Sequence, residues 1–305
     1  QHRAGIRDPP DRDQGLSLEP APAAGDLPSH AYNGAGLSLH WAPPSKPCST
    51  VDPANMRRVV FNQKGGVGKT SITCNLAAIG AAMGYRTLVI DLDVQGNTTH
   101  YLVGEIDAEA FPAEAQGVAG LFKQTVGSRK MSQNPDSFVW ETPYENLYLM
   151  PSSPVLSVLE KELESRYKIY KLRDALDKLD GEYDRIYIDT PPNFNFFSKS
   201  ALIAADSVLV PFDCDSFARQ SLYSLMENVA ELREDHNPEL EVEGIVINQF
   251  SSQARLPGEL VAELEAEGYP IFNTYLTTSV KMKESHRDHR PLIDMAPGHK
   301  LTAQF

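Results

Sequence analysis

Basic residues are scarce in this chain relative to acids: 28 Lys and Arg stand against 41 Asp and Glu, a formal net charge of −13. That balance argues against a surface that coats nucleic acid in general, so any contact with phosphate must come from a local basic patch. Cysteine is nearly missing, with Cys48, Cys74 and Cys214 scattered along 305 residues. Thiols so placed exclude a disulfide framework and a Cys-based metal site, and lead us to expect a reducing, cytoplasmic setting. No run of about eighteen apolar residues occurs, and the N-terminal residues lack a basic-then-apolar leader pattern, so we expect no membrane association.

What is present is a 41% hydrophobic content, enough for a substantial core. Residues 1–55, rich in Pro, Ala, Gly and Ser and without periodicity, read as a disordered tail. From Met56 onward, short apolar runs alternate with helical patterns. The runs are Val59-Val60-Phe61, Leu88-Val89-Ile90, Leu147-Tyr148-Leu149-Met150, Ile186-Tyr187-Ile188, Val208-Leu209-Val210, Ile245-Val246-Ile247 and Ile271-Phe272. Each is too short for a helix and lacks polar alternation, which predicts an α/β fold: a mostly parallel twisted sheet flanked by helices on both faces, in one domain over 56–305. Ile72, Leu76, Ile79 and Met83 predict a helix stripe that stops at Gly84. The stretch from Gly104 to Glu145 reads as irregular structure with short helices. Residues 155–180 read as helical, with Leu156, Leu159 and Leu163 beside the solvated Glu160, Lys161, Glu162 and Glu164.

Between the first two runs lies Lys64-Gly65-Gly66-Val67-Gly68-Lys69-Thr70-Ser71, joining a strand to a helix N-terminus. Its glycines free backbone N–H groups to converge on phosphate oxygens, Lys69 brings a point charge to the β/γ-phosphates, and the Thr70 hydroxyl can ligate Mg²⁺. Gly65, Gly66, Val67, Gly68, Lys69, Thr70 and Ser71 are thus the candidate cradle for a nucleoside triphosphate. Asp91 and Asp189 end predicted strands, where carboxylates hold a hard cation that keeps several waters.

Gln63 stands where the common loop has its first glycine, and Lys64 adds a second lysine. This variant resembles the deviant Walker A box of the ParA/MinD class of P-loop ATPases. The resemblance continues with Asp91-Leu92-Asp93-Val94-Gln95-Gly96-Asn97-Thr98-Thr99, where Val94 replaces the usual proline, with Ile186-Tyr187-Ile188-Asp189-Thr190-Pro191-Pro192 as Walker B, and with Val210-Pro211-Phe212-Asp213-Cys214, Ala218 and Ile247-Asn248-Gln249-Phe250. It spans residues 56 to 296. It implies that Asp93 positions the attacking water, that Lys64 reaches the partner's γ-phosphate in an ATP-dependent homodimer, and that Asn248 lies near adenine. It also implies Met56 as the natural first residue, with the tail derived from upstream coding sequence; the alternative is a native extension. The closing helix of the family is short or truncated here, and no amphipathic membrane-binding tail of the MinD kind follows.

Two departures bear on function. Asn193-Phe194-Asn195-Phe196-Phe197 replaces small and aliphatic residues, either as helix core or as a changed dimer or partner surface. Asn237-Pro238-Glu239-Leu240-Glu241 carries acids where some relatives have arginines, whereas Lys281, Lys283, Arg287 and Arg290, with His286 and His289 between, form a basic stretch. That stretch is the candidate for non-specific DNA contact; its alternative is ordinary loop charge and support of the nucleotide pocket. The resemblance therefore implies a slow Mg²⁺-dependent ATPase that partitions DNA or positions a cargo, stimulated by a ParB-like or adaptor protein. A DNA-independent positioning ATPase and a metabolic ATP-dependent enzyme on the same fold are the alternatives.

Overall fold

The computed structural model describes residues 56–104, 117–124, 133–215, 218–251 and 253–305. The expected disordered tail, Cys48 and much of the stretch after Gly104 lie outside the described residues. Among those described, seven strands form one sheet in the order β3-β4-β2-β5-β1-β6-β7: β1 (Met56–Val60), β2 (Thr87–Asp91), β3 (Trp140–Glu141), β4 (Leu147–Met150), β5 (Arg185–Asp189), β6 (Ser207–Asp213) and β7 (Glu241–Asn248). All pairings are parallel except the edge pair β3 and β4.

Strand residues alternate between the two faces of the sheet. Val59, Phe61, Leu88, Ile90, Ile186 and Ile188 enter one core with Leu163, Leu176 and Phe197, while Val89 and Tyr187 enter another with Ala77, Ala78 and Leu102. Apolar residues on both faces are what a parallel sheet needs, since its crossover helices cover both. One face carries α3 (Gly117–Lys123), α4 (Leu156–Ser165), α5 (Lys171–Leu176), α6 (Phe196–Ala204), α7 (Ala218–His236) and α8 (Arg255–Ala266); the other carries α1 (Lys69–Ala82), α2 (Asn97–Val103), α9 (Val280–Arg287), α10 (Leu292–Met295) and α11 (Lys300–Gln304).

Six of the seven anticipated runs are strands. Ile271-Phe272 is not: it joins β7 only through one bridge between Ile245 and Ile271. Pro270 before it has no N–H to donate, and the Phe272 ring folds over Gly244, where any side chain would collide with it. The stripe expected on α1 also differs. Met83 is exposed, whereas Thr73, Cys74, Ala77, Ala78 and Ala81 are buried, because α1 lies between the sheet and the C-terminal helices and hides small residues on both sides. The stop at Gly84 is there, at φ 93°. The charged helix over 155–180 is two helices, broken after Ser165 by Tyr167 at φ 53°. Leu156, Leu159 and Leu163 are buried as their spacing requires.

The aromatic cluster is helix core at two positions. Asn195 caps α6 with a reciprocal pair, its Oδ1 accepting from Ser198 N at 3.1 Å while Ser198 Oγ accepts from Asn195 N at 2.9 Å. That cap aims Phe196 and Phe197 inward, where both are buried and meet Phe122 edge-on, with ring centroids 6.0 and 5.7 Å apart. Phe194 is half-buried on Phe61.

This topology places the loops. β1 leads out to β2 on one side, and β5 leads to β6 on the other, so a crevice opens at the carboxyl ends of β1, β5 and β6. Among the described residues no helix is long and apolar enough to cross a membrane.

Candidate nucleotide-binding site

The loop between β1 and α1 sits in that crevice. Gly66 and Gly68 adopt φ of 78° and 93°, a conformation that costs L side chains and lets the backbone amides turn inward. Gly68 has a second reason to be glycine, since a Cβ there would strike the Asn248 side chain. Asn248 Nδ2 donates to Val67 O at 2.9 Å, and Gln249 Nε2 donates to Gly66 O at 3.0 Å, so the end of β7 holds the loop from outside. From within, Asn62 accepts from Lys64 N at 2.9 Å and donates to Pro211 O at 2.7 Å. Lys69 is buried and donates from Nζ to Lys64 O at 3.0 Å. The first hydrogen bond within α1 runs from Ile72 N to Gly68 O at 2.9 Å, which leaves the amides of Lys69, Thr70 and Ser71 free of helix partners and aimed at an anion.

Asp91 and Asp189 end adjacent strands, paired with each other in register, and both are fully buried. Thr70 and Thr98 each donate to Asp189 Oδ2 at 2.7 Å. Asp91 accepts from Thr99 N at 2.8 Å and Thr99 Oγ1 at 2.7 Å. Burial, then the neighbouring Asp189, push the Asp91 carboxyl up to about 8 despite the Thr99 hydrogen bonds. Burial raises Asp189 as well, against the pull of its two threonines and Lys69. Burial lowers the Lys69 ammonium while Asp189 and Asp93 hold it up. Two buried carboxylates at one point repel when both ionise, which makes them a candidate site for a cation.

The residues fit Mg²⁺. Their donors are oxygens throughout, the preference of a hard cation, and Asp189 Oδ1 is buried with no hydrogen-bond partner. Among the described residues no group of three or more His, Cys, Asp or Glu converges to hold a metal unaided. Mg²⁺ would therefore rest on Thr70, the two carboxylates and the oxygens of a nucleotide.

Asp93 follows Asp91 on the loop to α2. Its Oδ1 accepts from Gln95 N at 3.0 Å, closing a local turn, and it does not cap α2, whose first position is held by Gly96. Lys64 turns out of its own loop: its ammonium pairs with Asp215, with Asp213 at 4.0 Å, and its side chain is 33% exposed.

The basic stretch lies on and after α9. Lys281 pairs with Glu284, Arg287 with Asp288 and Arg290 with Asp294, so three of the four cations expected to meet DNA are met by acids of their own segment. Of the histidines between them, His286 meets the start of α1 and His289 meets α2. His286 Nε2 is 2.8 Å from Ser71 Oγ, and His289 Nδ1 is 2.7 Å from His100 O. With Thr70, Asn97, His100 and Tyr101 they line a cavity of about 380 Å³. Sequence alone assigns no role to Asn62, whose partners lie on β6 and in the loop, and none of their own to Thr98, Thr99 and Gln249, although these three fall within the stretches that carry the resemblance.

Comparisons with known proteins agree with this geometry. A family model described as an AAA domain matches residues 57–242. The chromosome partitioning protein ParA of Myxococcus xanthus is 32% identical over 239 residues, 77% of this chain and 79% of that protein. The chromosome partitioning protein ParA of Caulobacter vibrioides is 32% identical over 247 residues, 79% of this chain and 88% of the relative. Among solved structures, cobyrinic acid a,c-diamide synthase of Mycobacterium smegmatis with a bound ATP analogue and magnesium superposes with a TM-score of 0.65 at 26% identity, covering 76% of this chain and 91% of that one. A phosphate loop with two lysines, carboxylates at the ends of β2 and β5, and relatives of this identity and coverage make the chain a member of the ParA/MinD family of P-loop NTPases.

Proposed function

We propose that this protein is a Mg²⁺-dependent ATPase that acts as an ATP-gated dimeric switch, partitioning DNA or positioning a cellular cargo. One observation supports the reading: the Lys64 side chain turns out of its own phosphate loop and, among the described residues, its ammonium pairs with Asp213 and Asp215. Phosphoryl transfer to water needs the phosphates fixed, charge neutralised and a water held in line. Lys69 and the free amides of α1 supply the first need. Mg²⁺, when bound between Thr70, Asp91 and Asp189, supplies Lewis acidity at the phosphates. Asp93, one turn from Asp91, is the group to orient the water. Lys64 of a second copy completes the charge, which ties hydrolysis to association and makes turnover the timer of a switch. A partner protein of the ParB or cargo-adaptor kind would set that timer.

DNA contact falls to Lys281, Lys283, Arg287 and Arg290 in this reading. The acid pairing of three of them is what favours the second reading, a positioning ATPase that does not use DNA. The likeness to a synthase keeps a third in view, to which a product other than ADP and phosphate would point. The test is a mobility shift of the full chain on duplex DNA with ATP, ADP and no nucleotide across a salt series. ATP-dependent binding that weakens steeply with salt is the expected result. Absence of binding while ATP still drives dimerisation would remove DNA from the proposal.

A further inference from the structure

The inward face of α9 is set by helical spacing. Met282, Ser285 and His286 recur at i, i+3 and i+4 and meet α1 and α2, whereas Lys281, Lys283 and Arg287 are exposed. The imidazole of His286 stacks on the Tyr101 ring, with centroids 4.5 Å apart and planes 8° from parallel. That stack holds the ring edge so that Nε2 lies 2.8 Å from Ser71 Oγ.

Tyr101 is itself fixed. Its hydroxyl shares a hydrogen bond with Ser285 Oγ and accepts from Asn75 Nδ2 at 3.2 Å. The same Asn75 nitrogen donates to Ser71 O at 2.8 Å, and Asn75 Oδ1 accepts from Leu292 N at 2.8 Å. Asn75 and Ser285 are fully buried. The ring that meets Ser71 is thus supported by side chains from α1, α2 and α9, with few alternative positions open to it. His286 is half-buried, and burial lowers its affinity for a proton, which favours the neutral imidazole.

From these contacts we infer that His286 is a positioning residue for nucleotide binding, orienting the Ser71 hydroxyl toward the α-phosphate of a bound adenine nucleotide. The inference rests on the reading of the loop as an ATP site. Ser71 lies one residue deeper in α1 than Thr70, so with Lys69 and Thr70 committed to the β/γ-phosphates and Mg²⁺, Ser71 faces the remaining phosphate. A hydroxyl has one proton and two lone pairs. When His286 donates from Nε2 to Ser71 Oγ, the serine proton is left to point at a phosphate oxygen. Without the imidazole that rotor is unfixed. The α-phosphate is common to ATP and ADP and does not react, so the contact supports ground state and transition state alike.

The test is isothermal titration calorimetry of the full chain with Mg·ATP and Mg·ADP, together with steady-state hydrolysis. His286→Ala is expected to weaken both nucleotides about tenfold, the size of one hydrogen bond to a charged group, raising KM while kcat stays within about twofold. His286→Gln, which offers an N–H from a similar reach, is expected to restore most of the affinity. Ser71→Ala should lose about as much, and the double variant no more than either single one, because the two share one interaction. Additive losses, a fall in kcat at unchanged KM, or wild-type affinity in a folded His286→Ala would each overturn the assignment. Lys69→Ala, which should lose both nucleotides outright, separates the levels. If the wild-type chain binds no ATP, the functional reading fails and this inference with it; if it binds and His286→Ala binds equally, this inference fails alone.

Discussion

At the scale of the residue, the chemistry is governed by what burial does to charge. Asp91 and Asp189 share a water-poor point between β2 and β5, and each is held protonated more readily than an exposed carboxyl. The sign follows from the proton count. The folded state holds the Asp91 proton to about pH 8, while an unfolded chain releases it near the ordinary value of 3.8. This group therefore favours folding below that ordinary value and loses its contribution as pH rises through about 8. Mg²⁺ competes with that proton, so its protection should grow with pH. Melting curves in excess ADP, with and without Mg²⁺, at mildly acid and mildly alkaline pH should show the larger Tm gain from the cation on the alkaline side. A gain independent of pH would mean that the cation does not meet these carboxylates.

Elements are stabilised by faces more than by individual pairs. Phe196 and Phe197 were open to two readings from sequence, core or surface, and the capping pair of Asn195 and Ser198 decided it by fixing where α6 begins. Phe197 is fully buried against Phe122, so Phe197→Ala should cost about 3–5 kcal/mol in urea unfolding. Lys161, on the exposed side of α4, should change stability by no more than about 0.5 kcal/mol when replaced by alanine. Equal effects of the two substitutions would contradict the packing of α6 against α3. The α9 segment makes the same point in reverse: its charges were conspicuous in the sequence, yet its histidines carry the contacts.

For the whole molecule the question is whether Lys64 acts between subunits, as proposed. If it acts in trans, a dimer of Lys64→Ala with Asp93→Ala has one complete site, in which the first chain supplies Asp93 and the second supplies Lys64. Each variant alone should bind ATP and hydrolyse it about a hundredfold more slowly or worse, by analogy with the loss of a group that stabilises or orients the transition state. Mixing the two in equal amounts should restore hydrolysis toward about a quarter of the wild-type rate, since half of randomly formed dimers pair the two variants and each of those has one complete site. Mixtures no faster than the sum of their parts would place Lys64 on its own nucleotide, and the ion pair with Asp215 would then be an internal feature of each site. The net charge of −13 belongs to this scale as well, since any DNA-binding face must overcome repulsion from the rest of the surface.

The sequence by itself determined the parts whose physics is local. Lys64 to Ser71 is a contiguous loop whose glycines and lysines act through nearby backbone, and alternating buried strands and helices leave few ways to build a sheet. Hence the fold class, the glycine loop between β1 and α1 and the carboxylates at the strand ends were all legible. What only the tertiary structure decided depends on partners far apart in the chain. Thr98 was brought to Asp189, Asn248 to Val67 and His286 to Ser71, because parallel strands gather the ends of distant segments at one edge of the sheet. The pairing of Lys281, Arg287 and Arg290 with their own acids was settled there too. Charge read along a sequence gives sign and density, and only the folded chain shows which charges are already paired.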